Sequence, residues 1–150
     1  MSTTSEVAIG EGRVRIRRRL WWLLVALWTF ALCSPYPIHI RDQLLPPVAG
    51  FSLGKTLHFS VYAFLSGTIP WVAVHRWRWW LLGFLSFHGV GTEIIQLFVP
   101  DRSGSLTDVG INHLGIIAGA AIGWWLASLG RGIPPSTEMQ SPSGSIPAQQ

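Results

Sequence analysis

The residues best equipped for chemistry stand at matching ends of long apolar runs. Glu93 lies inside the run 79–99, about 10 Å from its end at 1.5 Å per residue. A carboxylate at that depth in a membrane costs at least a few kcal/mol unless it is paired, hydrated or protonated, so it calls for a partner. Lys55, the only lysine, opens the run 57–74 and is followed by His58, Tyr62 and Ser66. Around Glu93 stand Ser86, Gly89, Gln96 and Pro100, and the run 109–129 begins after Asp108 with Asn112, Gly115, Gly119 and Gly123. Spacings of three and four put each set on one helical face. With Arg102 in the turn, Lys55, His58, Glu93, Gln96, Asp108 and Asn112 fall at one height, which predicts a polar pocket open to one face of a membrane.

Three kinds of chemistry suit such a pocket. Lys and Arg beside amides fit an anionic headgroup, a cell-envelope intermediate such as a cell-wall precursor, or another surface ligand. Burial that raises a carboxylate pKa would let Glu93 or His58 serve as general acid or base, or Asp108 as a nucleophile, on a lipid-linked or headgroup substrate. Intramembrane ionisable groups also mark pathways in solute or proton carriers. Against the enzyme, no HExxH, GxSxG or Asp-rich metal motif is present. Against the carrier, the other half of each run is Leu, Ile, Ala and Trp.

Plainer roles compete at each position. Gly115, Gly119 and Gly123 form a small-xxx-small ridge for helix packing. Asp108 occupies the fourth place of SLTD, a capping box opened by Ser105. Lys55 and Arg102 suit interfacial anchors that snorkel, and His88 and His113 suit interhelical hydrogen bonds better than ligation. A structural ion-pair and amide network is the plain alternative for the whole cluster.

The elements that must position these groups follow from composition. With 49% apolar and 12% charged residues, the chain is too greasy for an ordinary soluble domain. Its net charge of +4 comes from clusters between apolar runs, which argues against nucleic acid. Cys33 stands alone, so an internal disulfide, a CxxC pair and a thiolate zinc cluster are excluded. No nucleotide, haem or metal motif occurs, so no cofactor and no metal is expected.

The expected fold is therefore all-α, a polytopic membrane protein built as a bundle of four transmembrane helices in the lipid bilayer. The runs are 20–40, 57–74, 79–99 and 109–129; the last three are each near the roughly 20 residues a span needs, and the first is weaker because its uninterrupted apolar part ends near Cys33, before Pro35 and Pro37. Residues 1–19 read as a disordered basic N-terminus, 20–130 as the membrane domain and 131–150 as a disordered tail. The first run has the outline of a signal peptide, yet its cleavage pattern is poor and Leu32 before Cys33 spoils a lipobox. Of the eleven basic residues, eight (Arg13, Arg15, Arg17, Arg18, Arg19, Arg76, Arg78, Arg131) share one side and Arg41, Lys55 and Arg102 the other. That split predicts a multi-pass cell-membrane protein with both termini cytoplasmic, and all tryptophans except Trp28 map near the cytoplasmic interface. The second and fourth runs open alike, charged then polar then small, a faint parallel repeat. Oligomeric state is not encoded in any of these features.

At these residues the chain resembles the VanZ-like membrane proteins: KTLHF, EIIQLFVPDRS and DVGINHLGIIAG carry the likeness, which covers roughly residues 20–129. By position, the resemblance implies recurrent polar residues at Lys55, His58, Glu93, Gln96, Arg102, Asp108 and Asn112, with Gly115 and Gly119 as small residues. Two departures stand out. An acidic residue often precedes the lysine, where this chain has Gly54, and the turn usually reads Pro-Gly-Arg, where it has Pro100-Asp101-Arg102. The family takes its name from a member associated with low-level resistance to the glycopeptide teicoplanin, and many members occur without resistance genes. The resemblance alone does not imply antibiotic resistance here.

Overall fold

The computed structural model describes residues 3–130, which form helices and no strand. Five helices follow in order: α1 (Thr3–Cys33), α2 (Tyr36–Leu44), α3 (Pro47–Val72), α4 (His75–Gln96) and α5 (Leu106–Leu129). The fold is all-α, as the sequence requires.

Helix boundaries depart from the apolar runs where proline and helix propagation decide them. Disorder was expected through residue 19, but α1 is helical from Thr3. Only Gly10 and Gly12 interrupt that stretch, and once the apolar segment has nucleated a helix, the arginines extend it at little cost. The first run was expected to reach residue 40. Pro35 ends it instead, because the residue before a proline is pushed out of the helical region, and a short separate α2 follows. The α3 helix starts at Pro47, about two turns before Lys55. Proline tolerates a first helical position because it lacks a donor that would go unused there. The tail 131–150 and Arg131 lie outside the described residues.

The closest packing joins α3 to α5, which run parallel. Gly115 meets the Phe59 carbonyl, Gly119 that of Ala63 and Gly123 that of Gly67. Positions 59, 63 and 67 repeat every four residues, so a ridge on α3 meets the glycine ridge on α5. The α1 helix lies across α3, where the Trp21 indole donates to the Leu65 carbonyl at 3.0 Å. Arg78 closes the other end of α3, donating to the carbonyls of Ala73 (3.2 Å) and Pro70 (3.1 Å). Leu65, Ile69, Leu85, Trp21, Val25 and Ile116 fill the apolar interior.

The outside of the bundle is also apolar. Phe30, Phe64, Phe87, Ile117 and Ile122 are each more than half exposed. Among the described residues, only α5 is long and apolar enough to cross a membrane by length and composition. The α3 and α4 helices have 26 and 22 residues, enough for about 30 Å at 1.5 Å per residue, but carry His, Lys or several Trp.

Glycine substitutions on α5 test the seam. A methyl group at Gly119 would sit 1.9 Å from the Ala63 carbonyl oxygen, whereas at Gly110 it would meet nothing within 4 Å. Gly119→Ala should cost roughly 1–3 kcal/mol, and Gly110→Ala should be neutral or gain up to about 1 kcal/mol of helix propensity. Thermal unfolding in detergent reads both, and equal effects would show that α5 does not pack through this face.

Candidate functional site

The polar end of the bundle is where α1 and α4 finish and α3 and α5 begin. Its deepest acidic side chain is Glu93 on α4, 4% exposed. The Ser105 backbone N–H donates to Glu93 Oε2 at 3.0 Å. Oε1 lies 3.6 Å from His58 Nδ1 and has no hydrogen-bond partner among the described residues. Ser105 is the N-cap of α5, its hydroxyl accepting from the Thr107 N–H at 3.2 Å. In a capping box Asp108 would have taken the Ser105 N–H. Glu93 takes it from another helix, and Asp108 turns away to pair with Lys55 of α3.

His58 is fixed by amide chemistry. Asn112, fully buried, donates from Nδ2 to the Gly89 carbonyl at 3.4 Å and turns Oδ1 to His58 Nδ1 at 2.9 Å. An amide oxygen accepts only, so Nδ1 carries the ring proton and Nε2 is the basic atom of the neutral ring. Trp28 of α1 stands edge-on to this ring, centroids 5.6 Å apart.

Gln96 and Arg102 tie the end of α1 to α4 and the turn after it. Gln96 donates to the Leu32 carbonyl at 3.1 Å. Arg102 donates to the carbonyls of Ala31 (2.6 Å) and Ser34 (3.0 Å). The last carbonyls of a helix lack partners within it, and a guanidinium there also complements the dipole. Lys55 and Arg102 thus bond inward instead of snorkelling.

Below this layer His88 and His113 make the interhelical bonds expected of them. His88 bridges Thr29 of α1 (2.8 Å) and Tyr62 of α3 (2.9 Å). His113 accepts from the Ser86 hydroxyl at 2.7 Å and donates to the Val109 carbonyl at 2.8 Å.

A cavity of about 580 Å³ opens at this end, and Lys55, His58, Gln96, Arg102, Ser105 and Asp108 line its polar wall. Phe51 and Pro47 line the other side, with Lys55 Nζ 5.0 Å from the Phe51 ring centre. Neither Glu93 nor Asn112 lines the cavity; both stand behind it and hold His58 and Ser105. All seven residues singled out in the sequence are therefore near one another, but in two layers. No group of three or more His, Cys, Asp or Glu suited to a metal ion occurs among the described residues.

A family model described as VanZ/LLP1 matches residues 10–128. The chain belongs to the VanZ/LLP1 family. No curated protein and no solved structure matches it.

Against the family resemblance, the two departures now have a setting. Asp101 of this VanZ/LLP1 protein has φ 59°, the left-handed region that glycine enters freely and Asp tolerates. Its carboxylate faces His39 of α2 at 3.4 Å, across an exposed gap. Gly54, in place of an acid, lines the cavity beside Lys55, whose carboxylate partner is Asp108 from the other helix.

Sequence reasoning missed Gly104. A methyl group there would lie 2.0 Å from the Glu93 carbonyl oxygen, so the turn 97–105 folds flat onto α4 only with glycine. The run Arg102-Ser-Gly-Ser just before a helix cap was the available signal. Also missed were the carbonyls at the end of α1, because backbone acceptors carry no mark in a sequence.

Two substitutions test these assignments. Glu93→Ala strips the acceptor from the half-buried Ser105 N–H and should cost about 1–3 kcal/mol of stability, whereas Glu93→Gln keeps an acceptor and should cost less than about 1. Asp101→Val should lose about 1–3 kcal/mol because a β-branched residue is strained at positive φ, and Asp101→Gly should change little. Thermal unfolding in detergent measures both pairs. Equal losses within either pair would remove the stated cause.

Proposed function

We propose that this protein spans the cell membrane four times, through α1, α3, α4 and α5, and binds a phosphate- or carboxylate-bearing ligand of the cell envelope in the cavity on its outer side. Support for the spans comes from the apolar exterior on every long helix, which exceeds what a water-facing surface tolerates. The side rests on the basic residues: Arg13, Arg15, Arg17, Arg18 and Arg19 precede the apolar part of α1, and Arg76 and Arg78 stand in the first turn of α4, all away from the cavity.

The observation that carries the binding reading is the cavity wall. Lys55, Arg102 and Gln96 supply side-chain donors, His58 a titratable ring and Ser105 the start of α5, where the helix dipole favours an anion. Asp108 already sits on Lys55 as a negative group from the protein itself, so an incoming anion exchanges places with it. A second reading, an enzyme, draws on one observation. Asn112 leaves His58 Nε2 as a base in a cavity-lining ring, a geometry suited to proton abstraction from a bound hydroxyl or water.

The two residues of the ion pair test the binding reading with opposite signs. Native mass spectrometry in detergent with glycerol phosphate as probe should show Lys55→Met weakening retention roughly tenfold. Asp108→Asn, which removes the competing charge, should strengthen it several-fold. A cavity built for a cation would reverse both signs. For topology, alkaline phosphatase fused after residue 46 should be active and after residue 131 inactive; the opposite result overturns the orientation. His58→Gln separates the readings further, since an enzyme would retain ligand and accumulate it unprocessed.

A further inference from the structure

The polar cavity has an apolar neighbour. A groove of about 330 Å³ runs between α1 and α3, lined by Leu24, Leu27, Trp28, Ser60, Phe64 and Leu65. It is open outward, with Leu27 and Phe64 56% and 57% exposed. Trp28 forms its upper end, and the Trp28 ring touches the ring of His58, which lines the polar cavity. One aromatic contact therefore separates a charged chamber from an apolar trough on the same side of the molecule.

The mouth of the chamber is bordered by apolar surface as well. Tyr36, Ile40 and Leu44 repeat every four residues along α2 and are exposed, and Val48 and Phe51 continue the exposed stripe onto α3. A short helix with such a face suits a membrane interface, where its apolar side would enter the headgroup boundary and hold the chamber mouth at headgroup height.

We infer that the ligand of the cavity is a membrane lipid: its phosphate-bearing headgroup occupies the chamber beside Lys55 and His58, and an acyl or polyprenyl chain lies in the α1–α3 groove. This rests on the anion-binding reading above and adds to it the class of ligand and its route, sideways from the bilayer. A chain moving from lipid into the groove gains little hydrophobic energy, because both surroundings are apolar. What the groove contributes is tethering, since a chain seated there raises the effective concentration of its headgroup at the chamber.

The test uses the full chain in nanodiscs of zwitterionic lipid, with dioleoyl phosphatidic acid and soluble glycerol phosphate as paired probes and native mass spectrometry as readout. Leu27→Trp and, separately, Phe64→Trp fill the groove at exposed positions outside the core. Wild type should retain phosphatidic acid about tenfold or more above glycerol phosphate. Each groove variant should lose most of that preference while binding glycerol phosphate as before. If glycerol phosphate binds as tightly as the lipid, or if both groove variants keep the preference, the lipid inference is overturned and the anion reading stands. If the groove variants release the lipid but Lys55→Met does not, the groove stands and the headgroup chamber fails. If wild type retains neither probe, both fall.

Discussion

A carboxyl group buried between helices needs polar partners, and the polar end of this protein is organised around supplying them to Glu93. One oxygen takes the Ser105 N–H and the other faces His58. Both choices propagate. Because Glu93 holds the cap of α5 from outside, Asp108 is released from its local role and reaches Lys55 on α3. Because His58 needs a fixed partner for Nδ1, Asn112 is drawn in, and its other end anchors on α4 at Gly89. The turn that delivers Ser105 must lie against the Glu93 carbonyl, which is why Gly104 admits no side chain. Three helices are thus joined through one acidic group.

Its geometry depends in turn on the seam below. The Lys55–Asp108 and His58–Asn112 pairs bridge the same two helices that meet through Gly115, Gly119 and Gly123. Close backbone approach limits how α3 and α5 can slide or rotate, so the ridge sets the register in which the polar pairs meet. In a bilayer no hydrophobic force drives helices together, and dispersion between closely packed backbones does that work. The apolar seam and the polar network are two lengths of one interface.

Much of this was legible before the structure. Spacings of three and four identified the faces of α3, α4 and α5, and the depth of Glu93 demanded a partner that proved to include His58. Other features depend on information a linear pattern does not carry. SLTD looks the same whether its acid closes its own box or a distant Glu93 does, and only the tertiary arrangement decides. Arg102 and Gln96 find carbonyls of α1, acceptors that every residue offers equally. The helical start of α1 at Thr3 was obscured because polar, arginine-rich composition suggests disorder even where propagation from a stable neighbour suffices.

A purely structural network and a binding site make different demands on space. Groups that only hold helices together are best served by close packing, which is what the glycine seam achieves and what protein interiors generally show. Arg102, Gln96, Glu93 and Asn112 all make such ties, with carbonyls, an N–H or an imidazole as their partners. Lys55, His58, Gln96, Arg102 and Asp108 nevertheless border an open volume of about 580 Å³, with Asn112 behind the His58 ring. An adhesive network has no use for that room. Two of the lining groups, His58 and Ser105, are held by residues that do not themselves enter the cavity, since Asn112 aligns the His58 ring and Glu93 secures the cap of α5. Preorganisation of this kind lowers the ordering cost that a ligand would otherwise incur on binding, and it is the physical ground for reading the polar end as a site built around a guest.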